Sequence, residues 1–97
     1  MSVVIVGGND GMVRQYKDLC RKYHCEAKVF TQMKDGLKNK LGRPDLLVLF
    51  TGTMSHKMIR CALSEAKNSS AAIARSHSSS MAALKSILIA HTDPVLS

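Results

Sequence analysis

Residues able to bind or polarise an anion fall in three short stretches of this 97-residue chain. They are Gly7-Gly8-Asn9-Asp10-Gly11, Thr51-Gly52-Thr53-Met54-Ser55-His56 and Arg75-Ser76-His77-Ser78-Ser79-Ser80. Each joins glycine or hydroxyl residues, which suit tight turns and helix caps, to an amide, imidazole or guanidinium. Backbone N–H groups at a helix start are unpaired and carry partial positive charge. A phosphate or carboxylate is therefore the expected occupant if the stretches converge. The candidate binding residues are Gly7, Gly8 and Asn9 from the first, and Thr53, Ser55 and His56 from the second. The third supplies Arg75, Ser76, His77 and Ser78. Taken singly, each stretch reads better as an ordinary cap or turn, and only the three together favour a site.

Several chemistries are excluded by what these stretches lack. Gly8 and Gly11 fit the last two glycines of a dinucleotide fingerprint, but Val6 occupies the first position. Thr31 and Gln32 stand where an acidic residue would hold a ribose. A phosphoacceptor domain would need an Asp at position 51, where Thr51 stands. G-x-S-x-G is absent, so a serine nucleophile has no elbow to present it. His56 or His77 could act as a general base, with Asp10 the nearest carboxylate to orient either one. Cys20, His24 and Cys25 are close enough to suggest zinc. Cys20, however, falls on an apolar helix stripe and no fourth ligand is near, which favours buried thiols. Cys61 is expected on the outer side of its helix, either at a subunit interface or ligand shelf or as an ordinary surface cysteine.

The elements that must position these residues follow from the apolar pattern. Val3-Val4-Ile5-Val6 reads as a buried strand ending in the glycine turn. Met12, Tyr16, Leu19, Cys20 and Tyr23 follow at helical spacing, with Arg14, Lys17 and Arg21 on the opposite, solvated face. Residues 27–31 read as a second strand nearer an edge, and a weak helix is expected over 34–40, ended by Gly42-Arg43-Pro44. Leu46 to Phe50 is apolar on both faces and belongs inside a parallel sheet. Ser55 caps a helix whose core face carries Met58, Ile59, Ala62, Leu63 and Ala66. Residues 71–74 read as a fourth strand, and Ser78 or Ser79 as the cap of a last helix carrying Leu84, Ile87 and Leu88. The alternation predicts an α/β fold with a four-stranded parallel sheet in order 2-1-3-4 and helices on both faces. Ligands of such sheets bind beyond the strand C-termini where strand order reverses, here between the first and third strands.

Composition bounds the rest. Apolar residues at 45% and charged residues at 22% fit one globular domain, expected over 1–90, with 91–97 as a tail or dimer arm. No run approaches the ~18 apolar residues of a membrane span, and no signal segment is expected at the start, where a charged-then-apolar pattern is lacking. Fourteen Lys and Arg against seven Asp and Glu give a net charge of +7, which favours anionic partners. Aromatic residues are only 4%, so a stacking platform for nucleic acid is not expected. Three cysteines, an odd number, point to reduced thiols in a cytoplasm.

The runs Val3–Asn9, Asp45 through His56 to Cys61, and Ala74–Ser80 resemble the bacterial family known as domain of unknown function 2325. The resemblance extends over about residues 3–88. It implies a Rossmann-like three-layer sandwich and raises haem as a ligand. Haem would take His56, His77 or Cys61 as iron ligand, Arg75 against its propionates, and Met54, Met58 and Met81 as an apolar wall. The expected function is a non-enzymatic carrier or sensor that holds an anionic cofactor at the C-terminal ends of the strands, haem first among the candidates and otherwise a phosphate- or carboxylate-bearing ligand. It is expected to be a homodimer with Cys61 and the tail at the contact, bound to neither nucleic acid nor membrane. The alternative is an enzyme or regulatory domain acting on a phosphorylated small molecule.

Overall fold

Two strands that are apolar on both faces organise the chain. The computed structural model describes residues 1–31, 42, 44–67 and 70–92. In chain order these form β1 (Ser2–Gly7), α1 (Val13–Lys22), β2 (Glu26–Phe30), β3 (Leu46–Phe50), α2 (His56–Ala66), β4 (Ala72–Ser76) and α3 (Met81–His91). Single 3-10 turns at Asp10–Met12 and Thr51–Thr53 follow β1 and β3. The sheet is parallel throughout, in order β2-β1-β3-β4. The chain thus has the expected α/β three-layer architecture.

Side chains alternate across a strand, so β1 and β3 each feed two cores. Val3, Ile5, Leu46, Val48 and Phe50 pack with Tyr16 and Cys20 of α1 and Leu84 and Leu88 of α3. Val4, Val6, Leu47 and Leu49 pack with Met58, Ala62 and Ala66 of α2 on the other face. Each fully buried Val, Leu or Ile contributes about 1.5–3 kcal/mol, so the β1–β3 pair is the main source of stability. The Tyr16 and Phe50 rings, with centroids 5.4 Å apart and tilted by 41°, close the first core near the strand C-termini. No helix among the described residues is long and apolar enough to cross a membrane.

Several local expectations are corrected. The fourth strand runs from Ala72 to Ser76, so Arg75 and Ser76 lie within it rather than in the following loop. Ser80, not Ser78 or Ser79, caps α3: its hydroxyl oxygen accepts from the Ala83 N–H at 3.1 Å. Three serines in a row carry the same capping chemistry, and only the chain path selects one. The last helix runs to His91, and residues 93–97 of the expected tail lie outside the described residues. The buried line of α2 runs through Met58, Ala62 and Ala66. Cys61 flanks that line and packs half-buried against the sheet, rather than facing outward. The helix expected over 34–40 lies outside the described residues.

The Cys20–Cys25 spacing has a structural cause. His24 takes a left-handed conformation with φ of 60°. Its N–H donates to the Arg21 carbonyl at 3.0 Å, and the Cys25 N–H donates to the Cys20 carbonyl at 2.9 Å. This is the Schellman ending of a helix, in which the residues carrying Cys20 and Cys25 meet as an apolar contact. Both thiols are buried and free, and no group of three metal-ligating residues occurs among the described residues.

Burial, with Cys25 adding to it, pushes the Cys20 thiol up to about 11 from an ordinary 9.0. Burial also raises Cys25, opposed by the N-terminal ammonium and reinforced by Asp45. An acid whose folded pKa is raised binds more protons folded than unfolded above its unfolded value, so stability falls as pH rises. Denaturation midpoints should therefore decline between about pH 9 and about pH 11. Cys20→Ala, less stable at neutral pH, should show a flatter decline. An identical pH slope in both proteins would contradict the burial of this thiol.

Candidate functional site at the strand C-termini

The β1 strand ends at Gly7 and Gly8 follows it, both with φ near +90°, a conformation open to glycine at no steric cost. This turn presses the chain against the β3 loop. A Cβ on Gly7 would lie 2.8 Å from the Phe50 carbonyl oxygen, and one on Gly8 would lie 2.9 Å from the Tyr16 ring. The Gly8 N–H donates to Thr53 Oγ1 at 2.7 Å, and the Thr53 hydroxyl donates to the Phe50 carbonyl at 3.0 Å. Gly8 and Thr53 are thereby joined across the reversal of strand order between β1 and β3.

A second link runs from the first loop to the third. The Tyr16 hydroxyl accepts from the Asn9 N–H at 3.2 Å and donates to the Ser79 carbonyl at 2.7 Å. The third link is steric and polar together. Gly52 lies so close to the β4 loop that a Cβ there would fall 2.3 Å from the His77 carbonyl oxygen. The Thr51 hydroxyl donates to the Ser76 carbonyl at 3.4 Å. The three stretches singled out in the sequence therefore form one connected surface. Asp10 also ties in the end of β2, since its carboxylate accepts from the Thr31 hydroxyl.

The individual candidates fare differently. Asn9 uses its Oδ1 to accept from the Gly11 N–H at 2.8 Å, a cap for the 3-10 turn. Ser55 caps α2, accepting from the Met58 N–H at 3.1 Å, and His56 is exposed in the first helical turn. The Ser76 hydroxyl donates to the Ser78 carbonyl at 2.8 Å. Ser78 Oγ accepts from the Ser80 N–H at 3.2 Å and donates to Ser80 Oγ. These serines shape the loop through bonds within it. His77 is exposed over Gly52. Arg75 is exposed and opposite Leu49, on the same sheet face as α2. Cys61 is half-buried and packs against the apolar cluster on that face.

The groups left presenting outward are thus two imidazoles, one guanidinium and the first turns of α2 and α3. Tyr16 is the residue that sequence reasoning assigned only to the core. Its helical spacing marks burial, whereas its hydroxyl partners lie 7 and 63 residues away.

Close approach at Gly52 gives a direct check. Gly52→Ala should force the β4 loop aside and destabilise the protein by about 1–3 kcal/mol, the usual cost of overpacking. The His77 resonances should shift with it. A variant of unchanged stability and unchanged His77 environment would contradict the contact.

No curated protein and no solved structure matches the chain. The family model described as "Uncharacterized protein conserved in bacteria (DUF2325)" matches residues 2–91. That span includes every strand, every helix and all three loops described above, and the chain belongs to this family.

Proposed function

We propose that this protein is a non-enzymatic binding module, a carrier or sensor that holds an anionic ligand over the C-terminal ends of its strands. The observation that carries the reading is the cross-linking of the three loops, through Gly8 to Thr53, Tyr16 to Ser79 and Gly52 against His77. Two helices begin at this surface, at the Ser55 and Ser80 caps, and helix N-termini favour negative charge. Arg75 adds a full positive charge on the α2 side of the sheet.

Haem is the ligand with the most specific requirements, and one chain meets them in part. His56 and His77 are exposed and supply imidazoles. The methionines do not supply one apolar wall: Met58 is buried in the core, while Met54 and Met81 pack on opposite faces of the sheet. Cys61 is half-buried against the apolar cluster on the α2 side. The described residues of a single chain therefore do not enclose a porphyrin, and the haem version of this proposal requires a homodimer whose second copy completes the wall. Three free cysteines fit a reducing, cytoplasmic setting. Proton transfer on a phosphorylated molecule would need an oriented imidazole, and Asp10, the carboxylate nearest these loops in sequence, is bonded to Thr31. That favours binding over catalysis.

Titration with haemin and with a phosphate monoester separates the ligand classes. If haem is the ligand, a Soret band should appear that is shifted or lost in His56→Ala or His77→Ala and retained in His24→Ala and His91→Ala. If a phosphate ester is the ligand, Arg75→Ala should weaken binding about tenfold or more, as for a lost charged hydrogen bond, without a visible band. Binding equal in all of His56→Ala, His77→Ala and Arg75→Ala would overturn the proposed site.

A further inference from the structure

At the opposite end of the sheet, the last turns of α1 and the start of β2 enclose a half-open hollow of about 550 Å³. This lies within the size range of roughly 300–1,000 Å³ typical of small-molecule sites. Lys17, Arg21, His24, Cys25, Glu26 and Ala27 line it. Lys17 and Arg21 are four residues apart on α1 and so lie one above the other on a single helix face. Both are exposed, and neither forms an ion pair among the described residues. Arg21, in the last turn, complements the negative end of α1, whereas Lys17 sits a turn too early for that role.

The floor of the hollow adds a donor. β2 is an edge strand, and its Glu26 N–H donates to the Met1 carbonyl at 2.9 Å. Backbone groups alternate in direction along a parallel strand, so the N–H of Ala27 is turned away from β1 toward the open edge. The Schellman ending of α1 sets this geometry, because the left-handed His24 turns the chain sharply into β2 and leaves the imidazole exposed at the rim. Two cations without an ion pair among the described residues and an imidazole therefore line one cavity beside an outward-turned N–H, against the single lining carboxylate of Glu26.

We propose that this hollow is a second anion-binding site, distinct from the strand-end loops, that takes a compact phosphate-bearing small molecule. The Arg21 guanidinium presents a donor fork matched to phosphate oxygens, and Lys17 supplies a second point charge. The site does not depend on the ligand proposed for the strand C-termini.

Inorganic pyrophosphate, titrated at fixed ionic strength and followed by backbone amide resonances, tests this directly. Saturable shifts are expected at His24 and Ala27, with affinity about tenfold lower or worse in Lys17→Ala and in Arg21→Ala. Arg14→Ala, on the same helix but outside the lining, should bind as the parent does, and Arg75→Ala should retain the Ala27 shift. Shifts confined to Gly8, Thr53 and His77, equal weakening by Arg14→Ala, or no saturable shift would each overturn the proposal.

Discussion

The pairing of β1 with β3 is the constraint on which the rest of this structure depends. Both strands are apolar on both faces, so each must lie inside the sheet with helices above and below. Chain order then leaves β2 on one side of the pair and β4 on the other. The connections leave β1 and β3 in opposite directions, and the loops at their C-terminal ends meet where the order reverses. The binding surface is a consequence of where hydrophobic side chains must be buried.

Tyr16 converts that proximity into a fixed arrangement. Its ring is fully buried against Phe50, while its hydroxyl reaches Asn9 in one loop and Ser79 in another. A buried hydroxyl left without partners costs about 1–3 kcal/mol, so packing of the ring and positioning of the loops are coupled. The same logic operates at the other end of α1. There the apolar contact of Cys20 with Cys25 holds a left-handed His24 and shapes the basic hollow.

Much of the fold was legible because burial leaves a periodic signature. Leu46–Phe50 read as an interior strand from composition alone, Ser55 read as a cap from its place before Met58 and Ile59, and the order 2-1-3-4 followed from the alternation of elements. The three loops could be named as candidates from their glycines, hydroxyls and imidazoles. Their mutual contacts could not. The reach of Tyr16 to Ser79, the fit of Gly52 against His77 and the choice of Ser80 over Ser78 depend on distances between segments far apart in the chain. Cys61 packs where the sequence pointed it outward because the buried line of its helix, Met58, Ala62 and Ala66, is turned toward Cys61 and away from Ile59, which the apolar pattern had placed on the core face. Cys20 and Cys25 mimic a metal-ligand spacing that the helix ending explains instead.

The central claim is that the strand-end loops form one locked unit, and native-state hydrogen exchange of two amides tests it most directly. The Gly8 and Asn9 N–H groups, bonded to Thr53 and Tyr16, should exchange far more slowly than unstructured amides. Tyr16→Phe, which keeps the ring and removes the hydroxyl, should release Asn9 while leaving the β3 amides protected. Rapid exchange at Gly8 and Asn9 in the parent protein, or an Asn9 amide unaffected by Tyr16→Phe, would contradict the account.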